Sequence, residues 1–282
     1  MTMTVSDFFL RFGNSIKSIV KVALKSRCCR FKKLGPEDGE LIVMANGPSL
    51  NTTMTRHMET LKTHHTMSVN FAPLSEAFRA IRPKFHVIAD PLFFSENPPE
   101  NVALLYTALS SVDWPLTIFV PRERAKNLPP EIAANPNIKI QRFNFVGAEG
   151  FSWLTKFLYD HKLAMPRPRN VLVPAIMCGI WMGYKDVYIV GADHSWMQTI
   201  SVDENNNVIS VQPHFYADSK NEQKRIDNAY RNYKLHQIVH SFYVAFRSYH
   251  TLARYAKKAR VDIFNSTPAS FIDAFPRKPL PK

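Results

Sequence analysis

Three cysteines in 282 residues, Cys28, Cys29 and Cys178, are too few for a disulfide framework and have no metal-ligand spacing. A reducing cytoplasm is therefore the expected compartment. No run is long and apolar enough to span a bilayer. The first residues lack a signal-peptide layout, because their charges follow and interrupt the apolar residues instead of preceding them. Neither a GxGxxG fingerprint nor a GxxxxGK[ST] loop is present, so no motif implies NAD or ATP. Internal repeats and low-complexity domains are absent as well. Acidic residues are scarce: 23 Asp and Glu stand against 36 Lys and Arg, a formal net charge of +13. The excess is uneven, since residues 1–34 hold Arg11, Lys17, Lys21, Lys25, Arg27, Arg30, Lys32 and Lys33 against Asp7 alone.

What is present is concentrated in residues 41–50, LIVMANGPSL. Leu41 to Met44 read as a short buried strand that runs into Ala45-Asn46-Gly47-Pro48-Ser49, after which a helical pattern begins. Such a strand–turn–helix step aims backbone N–H groups and the positive end of a helix dipole at one spot, which suits a phosphate. Gly47 allows close approach of the backbone, and Pro48 fits a helix start. Ser49 is placed to cap the helix or bond a phosphate oxygen, and Asn46 to bond a sugar or base. An ordinary βα turn with a serine cap has the same composition.

The N-terminal segment carries a second signal. Phe8, Phe9, Phe12, Ile16, Ile19, Val20, Ala23 and Leu24 recur at helical spacing, with Lys17, Lys21 and Lys25 on another face. A basic amphipathic helix rich in aromatics suits an anionic membrane surface. The same pattern also serves a helix packed on its own domain or on a partner subunit. No nucleic-acid module accompanies the charge, so nucleic acid is not expected.

From residue 41 onward, strand-like stretches (41–45, 65–69, 85–89, 116–120, 138–141, 186–190, 261–264) alternate with helical ones (50–62, 72–81, 99–111, 149–161, 171–183). This alternation predicts an α/β fold, a mostly parallel Rossmann-like sheet flanked by helices. Surface loops are expected at 97–101 and 127–137, and a mobile loop at 195–213. A long C-terminal helix is expected over about 221–260, with Leu235, Ile238, Phe242, Ala245, Tyr249, Leu252 and Ala256 on its buried face. The expected organisation is a membrane- or partner-binding segment at 1–38, one catalytic domain at 39–276 and a frayed tail at 277–282. In open parallel sheets ligands sit at the carboxyl ends of the strands. There the chain places Asn46-Gly47-Pro48-Ser49, Asn70, Asp90, Gly191-Ala192-Asp193-His194 and Asn265-Ser266-Thr267. Each is singly a turn former or cap; together they predict a polar pocket for a nucleotide-like ligand.

The A-N-G-P-S-L turn, S-V-N-F, D-P-L-F-F, M-G-Y-K-D-V-Y-I-V-G-A-D and N-S-T-P-A-S-F, in this order over residues 41–275, resemble bacterial sialyltransferases of glycosyltransferase family 42. The wider group includes flagellin-glycosylating motility-associated factors and pterin pyrophosphokinases. The resemblance implies that Asn46, Ser49 and Asn70 contact the CMP part of a CMP-sugar. Asp90 stands where the family has Asn, Ala45 where it has Gly, and Asn170 near its Ser-Gly pair. His214-Phe215-Tyr216-Ala217-Asp218-Ser219-Lys220-Asn221 is similar to the family's His-Tyr-x-x-His-Ser-Lys-Asn, whose second His is the base. Asp218 falls on that position and His214 on the first. His214 is preferred as base because imidazole titrates nearest neutrality, and Asp218 remains the other candidate. Tyr216, Lys220 and Ser49 would stabilise the departing phosphate.

The resemblance thus implies an inverting transfer from a CMP-activated donor to a glycan or glycolipid acceptor, such as lipopolysaccharide, capsule or a lipid-linked oligosaccharide. Binding residues would be Asn46, Gly47, Ser49, Asn70, Asp90, Asn170, Asp193, Tyr216, Lys220 and Ser266. No cofactor or essential metal is expected, since no Asp-x-Asp pair follows a strand. The enzyme would lie on the inner face of the bacterial inner membrane, and a homo-oligomer is left open. An ATP-dependent pterin pyrophosphokinase drawing on Asp90 and Asp193, or a non-catalytic scaffold of a glycan-assembly complex, are the alternatives.

Overall fold

The computed structural model describes residues 4–35, 39–210 and 233–281. Seven strands form one sheet: β1 (Glu40–Met44), β2 (His65–Val69), β3 (Phe85–Val87), β4 (Leu116–Pro121), β5 (Ile138–Phe143), β6 (Asp186–Val190) and, last in the chain, β9 (Asp262–Asn265). Their spatial order is β5-β4-β3-β2-β1-β6-β9, and every pairing is parallel. The chain builds outward from β1 to β5, then returns to lay β6 on the other side of β1. That reversal makes a topological switch point between the carboxyl ends of β1 and β6, where an open α/β sheet forms its crevice.

Alternation along β1 explains the layers. Leu41 and Val43 point into the larger core, with Met67, Val69, Phe85 and Val87 from the neighbouring strands. Ile42 and Met44 point the other way, with Leu50, Leu61, Tyr188 and Val190. Successive strand side chains must face opposite sides, so an unbroken apolar run is what a strand covered on both faces needs. Helix α2 (Ser49–Thr63) contributes Leu50 and Leu61 to the smaller core. The other face is covered by α7 (Leu172–Met182), buried at all of its residues, and by α8 (Leu235–Ala259). The expected buried face of α8 is present from Ile238 to Ala256, while Leu235 is exposed. Residues 221–232 of that expected helix lie outside the described residues.

The remaining α-helices among the described residues are α1 (Val5–Lys25), α3 (Glu76–Ile81), α4 (Glu100–Ser110), α5 (Pro130–Ala134) and α6 (Ser152–Asp160). Three local features differ from expectation. The stretch 127–137 contains α5, because Pro130 supplies the fixed φ of a helix start. Within 195–210 a two-stranded antiparallel hairpin forms, β7 (Ile200–Val202) with β8 (Val208–Ser210). Its acidic turn is closed by Asp203 Oδ1, which accepts from Asn205 N and Asn207 N at 3.0 and 2.7 Å. The C-terminal residues are anchored, not frayed. Arg277 donates to the carbonyls of Thr267, Ser270 and Ile272, and the Lys278 ammonium lies 4.1 Å from the Phe264 ring centroid.

Candidate functional site

The carboxyl edge of the sheet gathers the polar residues that follow the strands. At the switch point, Gly47 N donates to Gly191 O at 2.7 Å and so ties the β1 turn to the β6 turn. Ser49 Oγ donates to Asp193 Oδ2 at 2.8 Å, and Ser49 N lies 3.3 Å from Oδ1. The Asp193 carboxylate thus meets the start of α2, where the helix dipole and the first N–H groups favour negative charge. A Cβ on residue 47 would sit 2.0 Å from Asp193 Oδ2 and 2.6 Å from Gly191 O. Glycine is required here for the approach of the protein's own carboxylate and carbonyl.

One strand over, Asn46 Nδ2 donates to Val69 O at 3.1 Å and couples the ends of β1 and β2. Asn70 follows β2 with φ +48, a left-handed conformation that asparagine tolerates. Its Oδ1 is buried and has no hydrogen-bond partner among the described residues. Beneath it, His86 is fully buried, with Nδ1 2.8 Å from Ser68 Oγ. Burial pushes the His86 imidazole down to about 3, so it is neutral at working pH.

Asn70, Asp90, Arg169, Asn170 and Trp196 line one cavity of about 430 Å³, together with Ser241, Phe242 and Ala245 of α8. Asp90 Oδ1 accepts from Leu92 N at 2.9 Å and caps the short 3₁₀ turn Pro91–Phe94. The Asn170 amide is held from behind. Its Nδ2 donates to Tyr249 Oη at 2.7 Å, and its Oδ1 accepts from Leu172 N at 3.1 Å. Tyr249 Oη lies 2.6 Å from His194 Nε2. Burial lowers His194 to about 3 and raises Tyr249 above its ordinary value. The neutral imidazole and the phenol thus share one hydrogen bond, and Tyr249 Oη also lies 3.0 Å from Asn170 Oδ1, to which it can donate. The Trp196 ring lies 4.2 Å from the His194 ring, so cavity wall, imidazole, phenol and amide form one connected unit.

Of the residues expected in the site, Asn70, Asp90 and Asn170 share this cavity. Gly47, Ser49 and Asp193 are joined to one another at the switch point. Ser266 is directed elsewhere, its Oγ donating to Lys278 O at 2.7 Å. His214, Tyr216, Asp218 and Lys220 lie outside the described residues. Arg169, Trp196, Ser241 and Tyr249 were not expected in the site, and His194, expected at a strand end, was not expected to pair with Tyr249. Tyr249 looked like a core position on the long helix, and nothing in helical spacing tells where a buried hydroxyl points. Arg169 sits in the Pro-Arg-Pro-Arg-Asn stretch at 166–170, an irregular segment whose proline content was its only signal. Among the described residues no three His, Cys, Asp or Glu side chains come together as a metal site.

No family model and no curated protein matches this chain. Among solved structures, the MAf glycosyltransferase from Magnetospirillum magneticum AMB-1 aligns with 94% of this chain at 11% identity and a TM-score of 0.49. The chain spans 38% of that protein's length. A mammalian sialyltransferase in complex with Gal-beta-1-3GalNAc-ortho-nitrophenol aligns over 80% of this chain and 82% of its own, at 12% identity and a TM-score of 0.36. Likenesses of this size carry no argument about chemistry, which rests on the residues themselves.

Proposed function

We propose that this chain is an inverting glycosyltransferase that moves a sialic acid-like or Kdo-like sugar from a CMP-activated donor to a hydroxyl of a cell-surface glycan. Asn70 is the observation that carries the reading. A buried amide oxygen without a partner costs about 1–3 kcal/mol, and this one belongs to a residue that lines a cavity at the ligand-binding edge of a parallel sheet. A ligand donor such as a cytosine amino group or a ribose hydroxyl would satisfy it. Arg169, in the lining of the same cavity, supplies positive charge for the donor phosphate, and the restrained Asn170 amide orients it. The α2 N-terminus is already met by Asp193, so the phosphate is assigned to the Arg169 side of the site.

Chemistry in this reading needs little acid help, because a nucleotide phosphate is a good leaving group. The acceptor hydroxyl loses its proton to a base, His214 or Asp218, as its oxygen attacks from the face opposite the phosphate. Tyr216 and Lys220 are assigned to stabilising the phosphate as charge develops.

Thermal unfolding of the purified chain with CMP, CDP and ATP, each without and with Mg²⁺, tests the reading. A ligand that binds only the folded state raises the midpoint, by about 2.7 kcal/mol of stability at a hundredfold excess over its Kd. A shift with CMP or CDP in the absence of metal is expected. A shift with ATP and Mg²⁺ alone would replace the transferase by a pyrophosphokinase, and no shift with any nucleotide would favour a scaffold.

A further inference from the structure

Helix α1 is seated on the domain by its small polar side and turns its large apolar side outward. Ser18 Oγ donates to Glu149 O at 2.8 Å and accepts from Glu149 N at 2.9 Å. Ser15 Oγ accepts from Phe151 N at 3.0 Å. Gly150, at φ +131, makes room for this seat, since a Cβ there would lie 2.2 Å from Ser15 Oγ. Beyond the helix, Ser26 Oγ donates to Leu163 O, and Asn144 brackets Arg27 by accepting from its N–H and donating to its carbonyl. The helix is therefore fixed at its middle and its end, and its rotation is set.

That rotation is the reverse of what a packed amphipathic helix shows. Ser15 and Ser18 are buried, whereas Val5, Phe9 and Leu24 are 75, 65 and 70% exposed. Phe12, Ile16 and Ile19 are about half exposed along the same stripe. Phe8 touches Phe151, and two residues on, at the start of α6, Trp153 is exposed, followed a turn later by exposed Phe157. The apolar surface is bordered by charge of one sign. Lys17, Lys21 and Lys25 run along the helix, and Arg27, Arg30, Lys32 and Lys33 follow it. Asp7, the one acid of the segment, is occupied in a capping box with Thr4. On another flank of α1 a cleft of about 600 Å³ continues the positive field, lined by Arg11, Lys156, Arg167, Arg247, Arg254 and Lys258. Glu149 pairs with Arg167 and Arg247 there, and Asp160 with Lys156, which leaves Arg254 and Lys258 without an ion pair among the described residues, while Arg11 interacts with Asp7 only through space.

We propose that this face docks on an anionic lipid bilayer, with the α1 stripe lying in the interface and the surrounding lysines and arginines at headgroup phosphates. Charge decides the occupant. A second copy would bring two sets of the same basic residues together over the same stripe, whereas an anionic surface neutralises them. No described helix is long and apolar enough to cross a membrane, and α1 itself carries four cations in 21 residues, which fits a helix lying in the surface plane. The proposal is independent of the donor, so its failure and that of the transferase reading are separable.

The test is co-sedimentation of the full chain with vesicles of phosphatidylcholine alone and of phosphatidylcholine mixed with phosphatidylglycerol. Binding to the mixed vesicles, weakening as salt is raised and at least about tenfold weaker without phosphatidylglycerol, is expected. A Phe9→Ser/Ile16→Ser variant should lose at least about tenfold in partitioning, as should Lys17→Glu/Lys21→Glu. All four positions are exposed, and an unchanged melting temperature would show that the fold survives. Equal binding by wild type and the stripe variant, or no binding to mixed vesicles, would overturn the proposal. Concentration-dependent dimerisation abolished by the stripe variant, without vesicle binding, would assign the face to a second copy instead.

Discussion

Ser49 and Asp193, separated by 144 positions in the chain, meet across the switch point with Ser49 Oγ donating to Asp193 Oδ2 at 2.8 Å. The turn that looks built for a ligand's phosphate is thereby answered by the protein's own carboxylate. Two consequences follow for measurement. A hydrogen bond to a charged group contributes about 1.5–3 kcal/mol, and this half-buried one belongs at the lower end. Ser49→Ala and Asp193→Ala should each lower the urea-unfolding free energy by about 1–2 kcal/mol. A double-mutant cycle should show coupling between them. Because Asp193 competes for the Ser49 N–H, inorganic phosphate should stabilise Asp193→Ala more than wild type. Additive losses and no gain in phosphate response would show that the pair does not interact in solution.

Gly47→Ala places a methyl group where Asp193 and Gly191 already lie. Overpacking of this kind costs about 1–3 kcal/mol, and backbone on one side cannot yield. A melting-temperature loss is expected that Asp193→Ala relieves only in part, since the Gly191 carbonyl remains. Full rescue would mean that the carboxylate alone demands glycine.

Tyr249→Phe removes the hydroxyl shared by Asn170 and His194. Two buried polar groups then lose a common partner, at about 1–3 kcal/mol. If the network positions Asn170 for a ligand, the variant should also weaken the CMP-induced thermal shift. Unchanged CMP response at reduced stability would confine Tyr249 to a structural role.

Arg169→Ala should leave the unfolding free energy of the free protein within about 0.5 kcal/mol of wild type, as for a surface substitution. It should cut CMP affinity by about tenfold or more, the cost of a lost charge-assisted contact to phosphate. An isothermal titration giving wild-type affinity would remove Arg169 from the donor site.

Acid sensitivity follows from the buried imidazoles. His86 and His194 are held near about 3 by burial, against 6.5 ordinarily. Between these values the unfolded chain binds protons that the folded chain excludes, so stability is full above about 6.5 and falls as pH is lowered. His86 is the more completely enclosed of the two and should contribute about 1.4 kcal/mol per pH unit well below 6.5. Urea unfolding between pH 6.5 and 5, before the carboxylates titrate, reads the buried imidazoles together, with His65, also lowered by burial, adding to the slope. His86→Gln should flatten the slope by up to one proton; an unchanged slope would place the uptake elsewhere.

Local sequence determined the fold class, because apolar runs and helical periodicities are properties of neighbouring residues. All seven sheet strands fall within two or three residues of the apolar stretches, and α2, α4, α6 and α7 within three of theirs. The α5 turn and the β7–β8 hairpin were missed because each is short and held by a few side-chain and backbone bonds. Placement of Asn70, Asp90 and Asn170 along one edge was also legible, since a parallel sheet brings every strand's carboxyl end to the same side. What the sequence could not contain was which partners those residues choose. Ser49 with Asp193, Asn170 with Tyr249 and His194, and Ser266 with Lys278 are contacts across 12 to 144 positions. They depend on strand order, crossover packing and helix rotation, and none of these leaves a local pattern. The same holds for α1. Its amphipathic pattern was plain in the chain, but only the seat of Ser15 and Ser18 on residues 149–151 decided that the apolar side faces outward.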